Sequence, residues 1–233
     1  MKLILTLFLC MIATATTVAQ KIKATDIIKQ INEGRAVEYN NVEIEGDLDL
    51  TDLENRRLER SPTSRFNYDH ATYHSTVEVS LKFTNCTFLG NVLAYYNVEC
   101  DNETYIAHFE KDAVFRNCNF KQASEFKYSE FNGAASFAGC TFDEVANFKY
   151  SEFSSGPLFG KVKFESGADF KYTEFPGETS FENATFYGLA NFKYSKFSSP
   201  LNMDGVVFNG GGDFKYTQKD GRDFTSSLLD KSR

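Results

Sequence analysis

Apolar residues in this chain recur at alternating spacings of six and five. Nineteen phenylalanines mark the beat between Phe109 and Phe214, and Met203 fills the one slot without a phenylalanine. On an α-helix a step of five turns about 140° and a step of six about 240°, which would split the rings into two stripes. A flat strand fails too, because a step of five sends successive side chains to opposite faces. Both constraints are met by a chain that turns a corner after every five or six residues, so that four short faces close one coil of 22 residues. A second repeat has that length: FKYSEF, FKYSEF, FKYTEF, FKYSKF and FKYTQK begin at Phe126, Phe148, Phe170, Phe192 and Phe214. Equivalent residues of successive coils are therefore expected to stack about 4.8 Å apart, as neighbouring strands do.

The residue two before a phenylalanine shares its inward face and is usually small: Ser124, Ala135, Cys140, Ala146, Ala168, Thr173, Ala184 and Ala190. Lys, Glu, Asp, Asn, Gly and Ser fill the other positions and suit an outer surface. A single coil has no second layer over its rings, so only stacked neighbours exclude water from them. The triplets ADF (168–170), ATF (184–186) and ANF (146–148 and 190–192) resemble the pentapeptide-repeat family, over about residues 109–217. The resemblance implies an all-β fold, a right-handed quadrilateral parallel β-helix. The family's usual coil has about 20 residues, and here every second face is one residue longer, which implies wider or bulged faces.

The start of the chain has Lys2, an apolar run from Leu3 to Ala13, then Thr17-Val18-Ala19 before Gln20. Residues 1–19 read as a secretory signal peptide, too short in its apolar run for a membrane span. Leu9 before Cys10 disfavours a lipid anchor. A periplasmic or extracellular protein is expected. Residues 20–35 are expected to form a short capping helix, with Thr25 as N-cap, Ile27, Ile28 and Ile31 on one stripe, and Gly34 at the stop. The stripe either closes the open end of the solenoid or takes a partner. Val37/Tyr39, Val42/Ile44 and Leu48/Leu50 carry the inward pair, so the solenoid spans 36–217. Two stretches lose the rhythm, 54–75 and 95–106, and are expected to loop out of the coil. Residues 218–233 read as a C-terminal cap or tail, with Leu228-Leu229 as an alternative dimer contact through that end.

The net charge of -7, about -8 after loss of Lys2, disfavours nucleic acid as a partner. The repeat also places Lys127, Lys149, Lys171, Lys193 and Lys215 in one outer column beside Tyr128, Tyr150, Tyr172, Tyr194 and Tyr216. Lysines about 5 Å apart repel by about 1 kcal/mol per pair in water, which Glu130, Glu152 and Glu174 are expected to offset. This column is read as a flat aromatic row for a protein or polysaccharide, or as a surface that simply stacks on itself. Cys86, Cys118 and Cys140 sit in the small inward slot, either as space-filling thiols or, after export, as a disulfide between coils, and Cys100 lies in a break. No cofactor or metal is expected. Asp69, His70 and His74 form the one grouping that suggests a metal, with His108 the remaining histidine. No nucleophile motif or phosphate loop is present. The leading reading is thus an exported, non-catalytic scaffold that binds a protein or an envelope polymer. The alternative is a carbohydrate-processing or metal-dependent enzyme using the 54–75 break, with Glu125, Asp169 and Asp213 as carboxylates on the coils.

Overall fold

The computed structural model describes residues 20–59 and 71–224. Residues 1–19, read above as a signal peptide, Asp69, His70 and Leu228-Leu229 lie outside the described residues. Each coil lays one short strand on each of four faces, and strands of successive coils pair in parallel. The chain enters through β1 (Gln20–Lys23) and the helix α1 (Ala24–Asn32). The first coil then runs through β2 (Val37–Asn40), β3 (Val42–Glu45) and β4 (Leu48–Asp49), one per face. After β5 (Arg57–Glu59) it reaches its fourth face in β6 (Ala71–Val77). The second coil repeats this order with β7 (Leu81–Thr84), β8 (Thr87–Phe88), β9 (Val92–Leu93), β10 (Tyr95–Val98) and β11 (Glu103–Phe109). After the four-residue strand Ala113–Arg116 every face is a strand of two or three residues, save one reduced to bridges at the single residue Leu158.

The register reads out the repeat directly. Val37 pairs with Leu81, Leu81 with Ala113 and Ala113 with Ala135, so the offset falls from 44 to 32 and then to 22 residues. Within a column the rings stack face to face: Phe88, Phe120, Phe142, Phe164, Phe186 and Phe208 follow one another at centroid distances of 4.9, 4.5, 5.3, 4.7 and 5.1 Å. Between columns they meet edge to face, as Phe137 and Phe148 do at 5.1 Å and 77°. Both arrangements suit the ring quadrupole, and all of these rings but Phe208 are buried in the interior. Ser124, Ala135, Cys140, Ala146, Ala168, Thr173, Ala184 and Ala190 are all buried beside them.

The corner between the first two faces needs a left-handed residue in every coil. Asn41, Asn85, Asn117, Lys161 and Asn183 supply it, with φ between 52° and 57°, as do Gly139 and Gly205. The first three asparagines bond in a ladder, Asn117 to Asn85 at 3.3 Å and Asn85 to Asn41 at 3.1 Å.

The N-terminal end is closed by β1, which pairs in parallel with β3, and by α1, which buries Ala24, Ile27 and Ile31. Thr25 is not the N-cap. Pairing of β1 through Lys23 holds that residue extended, so the helix starts at Ala24 with Lys23 as a cap that makes no side-chain bond. Gly34 does end the helix, with φ 68° and its N–H on the Ile31 carbonyl. At the far end Arg222–Asp223 folds back antiparallel on Gln218–Lys219, and Phe224 stacks on Phe214 at 5.0 Å.

Among the described residues, both breaks carry strands that leave the coil. Both are inserted at the corner between the third and fourth faces, between Leu50 and Ser75 in the first coil and between Ala94 and Ala107 in the second. In later coils only a Lys-Tyr pair occupies that corner, beginning with Lys127 and Tyr128. β5 pairs antiparallel with β6, β6 parallel with β11, and β11 antiparallel with β10. The result is a four-stranded wing that continues the fourth-face sheet past the corner.

Candidate functional site

The wing and the tyrosine column thus leave the body along one edge. Tyr128, Tyr150, Tyr172, Tyr194 and Tyr216 all adopt φ between 60° and 63°, unfavourable for a side chain with a Cβ. Two sets of bonds hold them there. The preceding outer residue accepts the lysine N–H, Asn147 from Lys149 at 3.2 Å, Asp169 from Lys171 at 2.9 Å and Asp213 from Lys215 at 3.0 Å. The next residue sends a buried hydroxyl to the carbonyl of the coil before, Ser151 to Phe126 at 2.7 Å and Thr173 to Phe148 at 2.6 Å. Ser129 is the exception. The wing occupies the preceding corner, the Ala94 carbonyl accepts from Ala107 N–H, and the Ser129 hydroxyl is left without a partner.

Successive tyrosine rings stack at 4.7 to 4.8 Å, within 20° of parallel. Their faces therefore look along the solenoid axis and their edges look outward. This differs from a flat aromatic row: the ring faces are spent on each other. Lys127, Lys149, Lys171 and Lys215 place their ammonium groups 4.9 to 5.1 Å from the centroid of the following tyrosine. No ion pair joins these lysines to Glu130, Glu152 or Glu174 among the described residues, and Glu174 pairs with Lys196 at 2.5 Å instead. On the other flank Glu125, Asn147, Asp169, Asn191 and Asp213 alternate acid with amide, so no two carboxylates are direct neighbours in this column. Burial raises the pKa of Glu125, while the bond from Asn147 at 2.6 Å opposes that shift.

The wing has two faces. On one, Tyr73 stacks on Tyr105 at 4.8 Å with the Arg56 guanidinium 5.4 Å from the Tyr105 centroid. The Tyr105 hydroxyl donates to Glu103 at 2.5 Å, which lifts its pKa to about 12. On the other, His74 and His108 lie parallel, with His74 Nδ1 2.7 Å from His108 Nε2. His108 Nδ1 accepts the Glu130 N–H at 3.2 Å, so the His108 proton sits on Nε2 and is donated to His74. His74 therefore carries its own proton on Nε2, where the Glu59 carboxylate lies 2.8 Å away without an aligned hydrogen bond. This chain uses the nitrogens on each other. No group of three donors suited to a metal occurs among the described residues, and His70 lies outside them.

The same wing face meets the column in an open groove of about 620 Å³. Tyr95 and Asn97 of β10 line it, with Glu99 just after that strand, Thr72 of β6 and Thr104 and Ile106 of β11, and Lys127 and Tyr128 stand at its body end. Lys127 donates to the Tyr95 hydroxyl at 3.0 Å. Of these, sequence reasoning singled out only Lys127 and Tyr128. Strand alternation over 95–98 and 103–109 is the signal that would have placed Tyr95 and Asn97 with Thr104 and Ile106 on one face.

The family model for pentapeptide repeats (9 copies) matches residues 107–151, 126–174 and 170–218. The repeats of residues 107–218 belong to the pentapeptide-repeat family. Pentapeptide-repeat proteins are typically structural or scaffold modules and generally non-enzymatic. The matched repeats begin at Ala107, directly after the second hairpin, so the wing precedes them. No curated protein and no solved structure matches the chain significantly. Among the described residues no helix is long and apolar enough to cross a membrane.

Proposed function

We propose that this pentapeptide-repeat protein is an exported, non-catalytic scaffold that holds an extended partner, a protein or an envelope polysaccharide, along its decorated corner. The observation that carries this reading is convergence: both interruptions of the repeat and all five Lys-Tyr pairs fall on the same corner. A regular solenoid has no packing reason to insert two paired hairpins at one corner of adjacent coils, and departures from regularity are where specific recognition is placed. Export is supported by the leader of residues 1–19, with Lys2, the apolar run and Thr17-Val18-Ala19.

The test is a crosslinking pull-down from the envelope of the native host. Wild type should capture a partner that a Tyr95→Ala, Lys127→Ala double variant loses while keeping its thermal midpoint; equal capture by both would remove the corner from the account. Mass spectrometry of the N-terminus addresses export. Gln20 is expected as the first residue, and a protein that keeps Met1 and stays in the cytosol would overturn it.

A further inference from the structure

We infer that the groove between the wing and the first tyrosine of the column is a subsite for a neutral oligosaccharide. This deepens the scaffold reading and rests on its placing the partner at this corner. Tyr150, Tyr172 and Tyr194 have a parallel neighbour on both ring faces, but Tyr128 is the first ring. Its far side stacks on Tyr150 at 4.8 Å and 4°, whereas its near side meets Tyr95 at 5.9 Å and 50°. The two rings form a wedge that opens where both line the groove. An inclined aromatic pair of this kind takes the C–H face of a pyranose, which a closed stack does not.

The polar groups fit the rim of a sugar. Both amide hydrogens of Asn97 are directed inward, to the Glu103 carbonyl at 3.2 Å and to Thr104 Oγ1 at 2.9 Å, which leaves Asn97 Oδ1 as an open acceptor. Among the described residues the Glu99 carboxylate makes no side-chain hydrogen bond or ion pair, and it is a second acceptor. Lys127 gives one hydrogen to Tyr95 and keeps two to donate. Sugar hydroxyls donate and accept at once, so they satisfy both kinds of group. The lysine is balanced by Glu99 in the groove and by Glu125 on its flank, and the chain is acidic, with a net charge of -7. An anionic polymer gains nothing from such a field. The volume lies in the range of small-molecule sites.

The experiment is a calorimetric and NMR titration of the exported protein with cellohexaose, chitohexaose and maltohexaose, and with hexagalacturonate as the anionic comparison. At least one neutral sugar is expected to bind, and Tyr95→Ala and Asn97→Ala should each weaken it about tenfold. Tyr128→Asn keeps the left-handed corner while removing the ring and should do the same; Tyr187→Ala, an exposed ring outside the Lys-Tyr column, should leave binding unchanged. Preference for hexagalacturonate, or equal loss on changing Tyr187, overturns the inference. Absence of any sugar binding while the envelope pull-down still succeeds through this corner overturns the saccharide and leaves the scaffold. Failure of the pull-down as well removes both.

Discussion

At the scale of single residues, two slots per face decide everything: a phenylalanine and a small partner, both sealed by the coils above and below. Phe159 has no exposure and touches rings in its own column and in the neighbouring ones. Phe159→Ala should therefore cost about 3 to 5 kcal/mol, read as a fall in the midpoint of denaturant unfolding. The three stacked thiols make a second residue-level expectation. Cys118 is pushed up to about 12, first by its hydrogen bond with Cys140, and Cys86 is also raised, first by its bond with Cys118. All three are buried, whereas Cys100 is exposed in the turn between β10 and β11. Iodoacetamide under native conditions should label Cys100 and spare Cys86, Cys118 and Cys140 until the protein is unfolded, with peptide mapping as the check. Inward positions such as these were legible because their spacing has one geometric solution. The orientation of the tyrosine rings was not: asparagine and glycine announce a left-handed corner, but a tyrosine held there by bonds from its neighbours carries no such signal.

At the scale of elements, the wing depends on contacts that no local pattern announces. β6 and β11 pair with an offset of 32 residues, which follows only once both hairpins are known to leave from one corner. The histidine chain fastens this pairing to the body, since His74 lies on β6, His108 on β11 and Glu130 in the next coil. Burial lowers the pKa of His108, the largest influence, with His74 adding to it while Glu130, Glu110 and Glu59 oppose it. The folded state thus prefers neutral His108, and its Nδ1 must stay unprotonated to accept the Glu130 N–H. Its contribution to stability is present above the ordinary histidine pKa of about 6.5 and is lost as pH falls through the lowered value. Hydrogen exchange over Glu103–Phe109 should accordingly quicken, relative to the coils, between roughly pH 8 and roughly pH 5. A His108→Gln variant should lose that difference, and unchanged relative exchange in wild type would sink the idea.

For the whole molecule, the solenoid is a one-dimensional stack in which each coil contacts chiefly its neighbours, with both ends treated specially. The N-terminal end carries β1 and α1, and Phe224 covers the last rings. Duplicating residues 148–169 should therefore insert one further coil without loss of folding. The thermal midpoint should stay level or rise, whereas a fall with loss of β-structure by circular dichroism would show that coil number is fixed by something beyond nearest neighbours. The column of tyrosines has one more consequence. The chain contains no tryptophan, so its near-ultraviolet spectrum belongs chiefly to tyrosine and phenylalanine. Five tyrosine rings held 4.7 to 4.8 Å apart couple their electronic transitions, and such coupling is sensitive to what happens at the first ring. The protein thus contains its own optical gauge: a molecule wedged against Tyr128 would change the circular dichroism of the row, and occupancy could be followed in solution without any label.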